Sequence, residues 1–134
     1  MIKHHCFRLV PNQDLKQELI DYVLEHQIKA AALVTCVGSL SKLNIRLASA
    51  NHFMQREELF EIVSLSGTIC ADGAHLHISV ADQNGVVVGG HLLNNNIIHT
   101  TAELVLLELE EVFFNREFDL ATGYPELKIT RLSN

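Results

Sequence analysis

Three of the eight histidines lie in one stretch, Gly73-Ala-His-Leu-His-Ile-Ser-Val-Ala-Asp-Gln-Asn-Gly-Val-Val-Val-Gly-Gly-His91. His75 and His77 are two residues apart, so an extended strand turns both imidazoles to one face. Neutral imidazole is the commonest metal ligand among side chains. Three of them leave a coordination position open and suit Zn²⁺, Ni²⁺, Cu²⁺ or Fe²⁺. A single strand histidine is ordinarily a half-buried polar residue with a hydrogen-bond partner. A pair at i and i+2, with a third after a turn, is harder to account for in that way.

The turn decides where His91 goes. Gln83-Asn84-Gly85 interrupts two apolar runs, the local signature of a β-hairpin. A two-residue Asn84-Gly85 loop would set Ile78 opposite His91 and turn that ring away from the other two. A three-residue loop, with Gly85 in the left-handed conformation of a bulge, pairs Asp82 with Val86. That register sets His77 opposite His91, with Cβ atoms roughly 4.5–5.5 Å apart. The three-residue loop is the register expected.

Other chemistry-bearing residues are weaker signals. His4, His5 and Cys6 are metal-capable, but a strand splits them between faces. Arg46 sits in an alternating strand pattern and could face an anionic ligand. Glu103 and Asp72 are the carboxylates available, by residue type, as a general base near a metal-bound water. The surface around Arg46 and Glu103 is the expected contact for a small ligand. Cys36 and Cys70 lie in apolar runs where a thiol is inert, and Gly89-Gly90 is too short for a phosphate loop.

The elements that must carry these residues follow from periodicity. His4 to Val10 reads as a strand closed by Pro11. Asn12 is the expected N-cap of a helix from Gln13 to about Gln27, with Leu15, Leu19, Tyr22 and Val23 on one side. Ala30 to Val37 reads as a buried strand ending in a turn at Gly38-Ser39-Leu40-Ser41, and Leu43 to Leu47 as another strand. Asn51 to Glu58 reads as a loop, and Leu59 to Cys70 as a long strand with a bend or bulge at Gly67. Ile97 to Val112 fits a helix capped at Thr100 or Thr101, although the apolar run Leu104 to Leu109 argues for a strand. Asp119 to Pro125 is turn chemistry, and Leu127 to Leu132 alternates as a last strand. About seven strands and one main helix, segregated along the chain, make an α+β domain with a mainly antiparallel sheet.

The 134 residues are read as one domain, residues 1–134. The hydrophobic content of 48%, with 19% charged residues, is high for a monomer of this size and points to oligomer contacts. A formal charge of −6 argues against binding a nucleic-acid backbone. The three cysteines are an odd number without paired spacing, and read as small buried hydrophobes in a reducing cytoplasm. No secretory signal is read at the amino terminus, and no apolar run reaches the roughly 18 residues of a membrane span.

Taken together, Val37-Gly38-Ser39-Leu40, Phe60 to Thr68, His75-Leu76-His77-Ile78-Ser79, Asp82 with Gly85, and Val88-Gly89-Gly90-His91-Leu92 resemble the plant-and-prokaryote-conserved (PPC) domain family. The likeness continues through Thr101 to Leu106 and on to Thr122-Gly123-Tyr124 with Glu126-Leu127. It implies a compact α+β domain that assembles as a homotrimer, with Glu103 in a strand. It also implies that His75, His77 and His91 hold a zinc ion. Plant members follow Arg-Gly-Arg-Pro hooks that bind DNA, and the family carries that label; this chain has no such hook. A likeness to cupin barrels is weaker, because Gly73 stands too close to His75 and Asp82 replaces the expected glutamate. The resulting expectation is a homotrimeric zinc- or small-ligand-binding module, DNA-associated or regulatory in role. The alternative is a zinc-dependent hydrolase using metal-bound water.

Overall fold

The computed structural model describes residues 2–133. Its elements run β1 (Ile2–Leu9), α1 (Leu15–Glu25), β2 (Ala31–Arg46), β3 (Phe53–Arg56), β4 (Phe60–Cys70), β5 (Gly73–Ala81), β6 (Val87–Leu92), β7 (Ile97–Leu109), β8 (Val112–Asp119) and β9 (Tyr124–Arg131). Seven strands form one sheet in the order β1-β7-β2-β4-β5-β6, with β3 paired to β2, and every pairing in it is antiparallel. β6 returns to pair with the far end of β2, so β2, β4, β5 and β6 close into a ring. β8 and β9 form a separate two-stranded hairpin.

Alternation along the strands builds the core. Leu76, Ile78 and Val80 of β5 are buried, together with Ile62 and Leu65 of β4 and Leu40, Leu43 and Ile45 of β2. The helix adds Leu15, Leu19 and Val23 to the same cluster. Each such side chain contributes about 1.5–3 kcal/mol of burial, so the apolar face of β5 fixes which face its histidines occupy. A smaller cluster of Ala30, Cys70 and Phe114 ties the β8–β9 hairpin to the sheet.

Several expectations need correction. Asn12 does not cap the helix: its φ of 74° is left-handed, and Asp14 is the N-cap, accepting from the Gln17 N–H at 3.4 Å. The anticipated turn at Gly38 to Ser41 is absent, because β2 is one continuous strand of 16 residues. Gly38 is there for closeness, since a Cβ on it would collide with the Thr101 backbone of β7. The Ala30–Val37 run is only partly buried, with Val34 and Val37 more than half exposed. The expected loop 51–58 contains β3, and 112–119 forms β8; the main sheet has the seven strands expected, and the β8–β9 hairpin stands outside it. The bulge in β4 falls at Val63, between the Ile62 and Ser64 pairs, and not at Gly67. Cys6 is exposed, while Cys36 and Cys70 are buried; burial pushes the Cys36 thiol up to about 12. No helix among the described residues is long and apolar enough to cross a membrane.

Candidate metal centre

The hairpin of β5 and β6 adopts the bulged register. The Asp82 N–H donates to the Val86 carbonyl at 3.0 Å, and the Gly85 N–H to the Asp82 carbonyl at 2.9 Å. Gly85 has a φ of 77°, a conformation that a side chain would strain. The Asp82 carboxylate reinforces the loop by accepting from the Asn84 and Val86 N–H groups. Down the strands, His77 then stands opposite His91.

Because β6 also pairs with β2, the row continues from His91 to Arg46. On the other side of β5, Ser66 of β4 stands opposite His77, and Thr68 opposite His75. Directly opposed residues share a face, so Ser66, His77, His91 and Arg46 form a ladder across four strands. Asn96, fully buried, holds the β2 end of that ladder. Its Oδ1 accepts from the Asn44 N–H at 2.8 Å, while its Nδ2 donates to the Asn44 carbonyl at 2.8 Å and the Leu93 carbonyl at 2.7 Å.

The three imidazoles meet over the sheet. Ring centroids are 5.2 Å apart for His75–His77, 5.4 Å for His75–His91 and 5.8 Å for His77–His91. One ligating atom from each lies within 4.8 Å of the others. Burial pushes the His91 imidazolium pKa down to about 4, helped by Arg46 and Lys16. His75 is lowered too, by burial first and then by His77 and Arg116. Both are therefore neutral near pH 7, the form a metal requires. The Nδ1 of His91 is buried and has no hydrogen-bond partner. A buried polar atom left in this way is costly unless something supplies the missing contact. The donor set fits a zinc-like ion, which would draw on all three rings and keep a position open to act as a Lewis acid.

The cluster opens into a cleft of about 1010 Å³. Arg46 and Asp72 line it, as the sequence allowed, but Glu103 does not. Glu103 stands opposite Arg8 and Val37 and lines a separate shallow groove with Cys6 and Phe7, because β7 pairs with neither β5 nor β6, the strands that carry the histidines. Asp72 is engaged, accepting the Arg116 N–H at 3.0 Å. His5 is likewise committed elsewhere, to Glu108 at 2.7 Å and Tyr22 at 3.2 Å. Sequence reasoning missed Arg116 as a cleft residue; with Tyr124 and Glu126 it comes from the β8–β9 hairpin. No periodicity inside the hairpin points across to the sheet.

The sequence model of the Plants and Prokaryotes Conserved (PCC) domain matches residues 1–110. The chain belongs to the PCC-domain family. The three histidines fall inside the matched PCC region, and Arg116, Tyr124 and Glu126 fall outside it. Among solved PCC-like structures, a hypothetical protein from Salmonella enterica is 35% identical. It superposes with a TM-score of 0.94, covering 98% of this chain and 95% of that one. A protein from Archaeoglobus fulgidus described as metal-containing is 25% identical, with a TM-score of 0.75 over 98% and 94% of the two chains. One from Bacteroides thetaiotaomicron, described as a candidate DNA-binding protein, is 20% identical with a TM-score of 0.83 over 93% and 91%; it shares the fold. A curated relative from Synechococcus, the bifunctional protein GlmU, is 45% identical over 132 residues, which is 98% of this chain. The chain spans about a fifth of that relative's length, 21%.

Proposed function

We propose that this PCC domain is a metal-binding module that holds one zinc-like ion per chain through His75, His77 and His91, and receives a small ligand at the open position. The observation that carries this reading is the opposed register of His77 and His91, which gathers three imidazoles with ligating atoms within 4.8 Å. The orphaned Nδ1 of His91 supports it, as does the metal content of the Archaeoglobus relative. The test is metal analysis of protein purified without a His tag, alongside His75→Ala and His77→Ala variants. About one transition ion per chain, lost in the variants, is expected; metal-free protein that takes up no zinc on dialysis would overturn the reading.

The module assembles as a homotrimer in this proposal. The support is the family resemblance together with exposed apolar side chains, among them Val34, Val37, Phe53 and Val63. Light scattering at three times the 15.0 kDa chain mass is the expected result, and the chain mass itself would remove it. Direct DNA contact is not favoured by a net charge of −6. A mobility shift at low salt, where phosphate contacts are strongest, would reverse that preference.

A further inference from the structure

The ladder does not end at the histidines. Arg46, directly opposite His91, is half-buried and lines the cleft, and among the described residues its side chain makes no ion pair or hydrogen bond. A guanidinium carries five donors and is always charged, so a partly desolvated one without a protein acceptor is poised for an outside acceptor. A second guanidinium approaches from the opposite wall. Arg116 Nη2 donates to Thr68 Oγ1 at 3.2 Å, and Thr68 stands opposite His75. One arginine thus stands beside His91 and the other beside His75, with the three rings between them.

Two carboxylates also line the cleft, and neither forms an ion pair with Arg46 or Arg116. Asp72 Oδ2 accepts the Arg116 backbone N–H, and Glu126 Oε1 accepts the Thr122 hydroxyl at 3.1 Å. Lys16, at the start of α1, adds a third positive charge close to Arg46 and His91. Arg46 and Arg116 are the two arginines of the cleft lining, and Lys16 acts on Arg46 and His91 from outside it.

We propose that the cleft recognises a small anion, a carboxylate or a phosphate, clasped between Arg46 and Arg116 beside the ion held by His75, His77 and His91. This inference rests on the metal reading above and names the ligand class of that site. Planar forks suit anions with two or more terminal oxygens. The cleft, at about 1010 Å³, is far larger than the anionic group alone and leaves room for a larger organic molecule that carries it.

The experiment is calorimetric titration of the zinc-loaded full chain with inorganic phosphate and, separately, with acetate at low ionic strength. Wild type, Arg46→Gln, Arg116→Gln and Arg46→Lys are compared, with zinc content and circular dichroism recorded on every sample. Each glutamine variant should weaken binding of the preferred anion by roughly tenfold or more, at unchanged zinc content and fold. Arg46→Lys should fall between wild type and Arg46→Gln, because it keeps charge and loses the fork. Tighter binding of phosphate or of acetate assigns the natural ligand to the corresponding class. Equal binding in wild type and both glutamine variants, or binding of neither anion by zinc-loaded wild type, overturns the proposal. Should Arg46→Gln fail to fold, Arg116→Gln on the exposed hairpin decides alone. Wild type that holds no zinc defeats the metal reading instead. Phosphate or acetate binding by that metal-free protein that still depends on the arginines upholds the anion site, and its absence discards it.

Discussion

The PCC region and the β8–β9 hairpin furnish opposite walls of one cleft, yet they are built on different physical terms. The first holds its histidines on strands whose other face is core: Leu76 and Ile78 are 1% and 2% exposed and alternate with His75 and His77. The hairpin buries little besides Phe114, and leaves Phe118, Leu120, Tyr124 and Ile129 exposed. Its hold on the sheet is the Ala30–Cys70–Phe114 cluster and the bonds of Arg116 to Asp72 and Thr68. The histidine-bearing wall is therefore rigid by construction, and the Arg116 wall is docked.

The largest effect that would test this division is on the ion. His77→Ala removes one of the three imidazoles from a surface-facing position and, on the proposed function, should cost roughly a thousandfold in zinc affinity, beyond the 10–100-fold typical of an outer-shell partner. Competition with a chelating dye measures it, and unchanged circular dichroism should accompany it. A drop below tenfold would mean that the three rings do not act together.

Next come the two walls' foundations. Ile78→Ala should destabilise the fold by about 2–5 kcal/mol in denaturant melts, since it opens a cavity beneath the ladder. Phe114→Ala should loosen the hairpin by a comparable local amount, about 3–5 kcal/mol, seen as faster amide exchange in β8 and β9 with zinc affinity unchanged. If that variant lost zinc as well, the walls would be one unit and the contrast would fail.

A gentler test is acid. His91, with a folded pKa of about 4, and His75, also lowered, sit below the unfolded value of 6.5. Between those values the unfolded chain binds more protons, so metal-free protein has this stability in full above pH 6.5 and loses it as pH falls toward 4. His91→Gln should flatten that stretch of the Tm–pH curve. The smallest effect expected is none: Glu103→Gln should leave zinc and phosphate binding untouched, because Glu103 belongs to the other groove.

What the sequence disclosed follows the range of the interactions. His75, His77 and His91 were legible because two of them share strand parity and the third is fixed by a three-residue turn, all within one hairpin. The α+β class was legible from the amphipathic helix and the alternating strands. The break assumed at Gly38 was not real, because glycine there answers a tertiary contact with Thr101 that no local pattern contains. Asn12 was misread because capping type does not reveal backbone φ. Glu103 shared a plausible chemistry with the histidines but sits on a strand that pairs with neither β5 nor β6, and Arg116 reaches them only through a long-range docking of the hairpin.

The shared rung at His91 has a thermodynamic consequence. One imidazole stands between His77 and Arg46, so an ion and an anion bound there would touch a common residue and each other. Their free energies would then be linked, and linkage is reciprocal. By whatever factor the ion tightens the anion, the anion must tighten the ion. A cell's supply of the anionic ligand would thereby govern how firmly the domain keeps its metal.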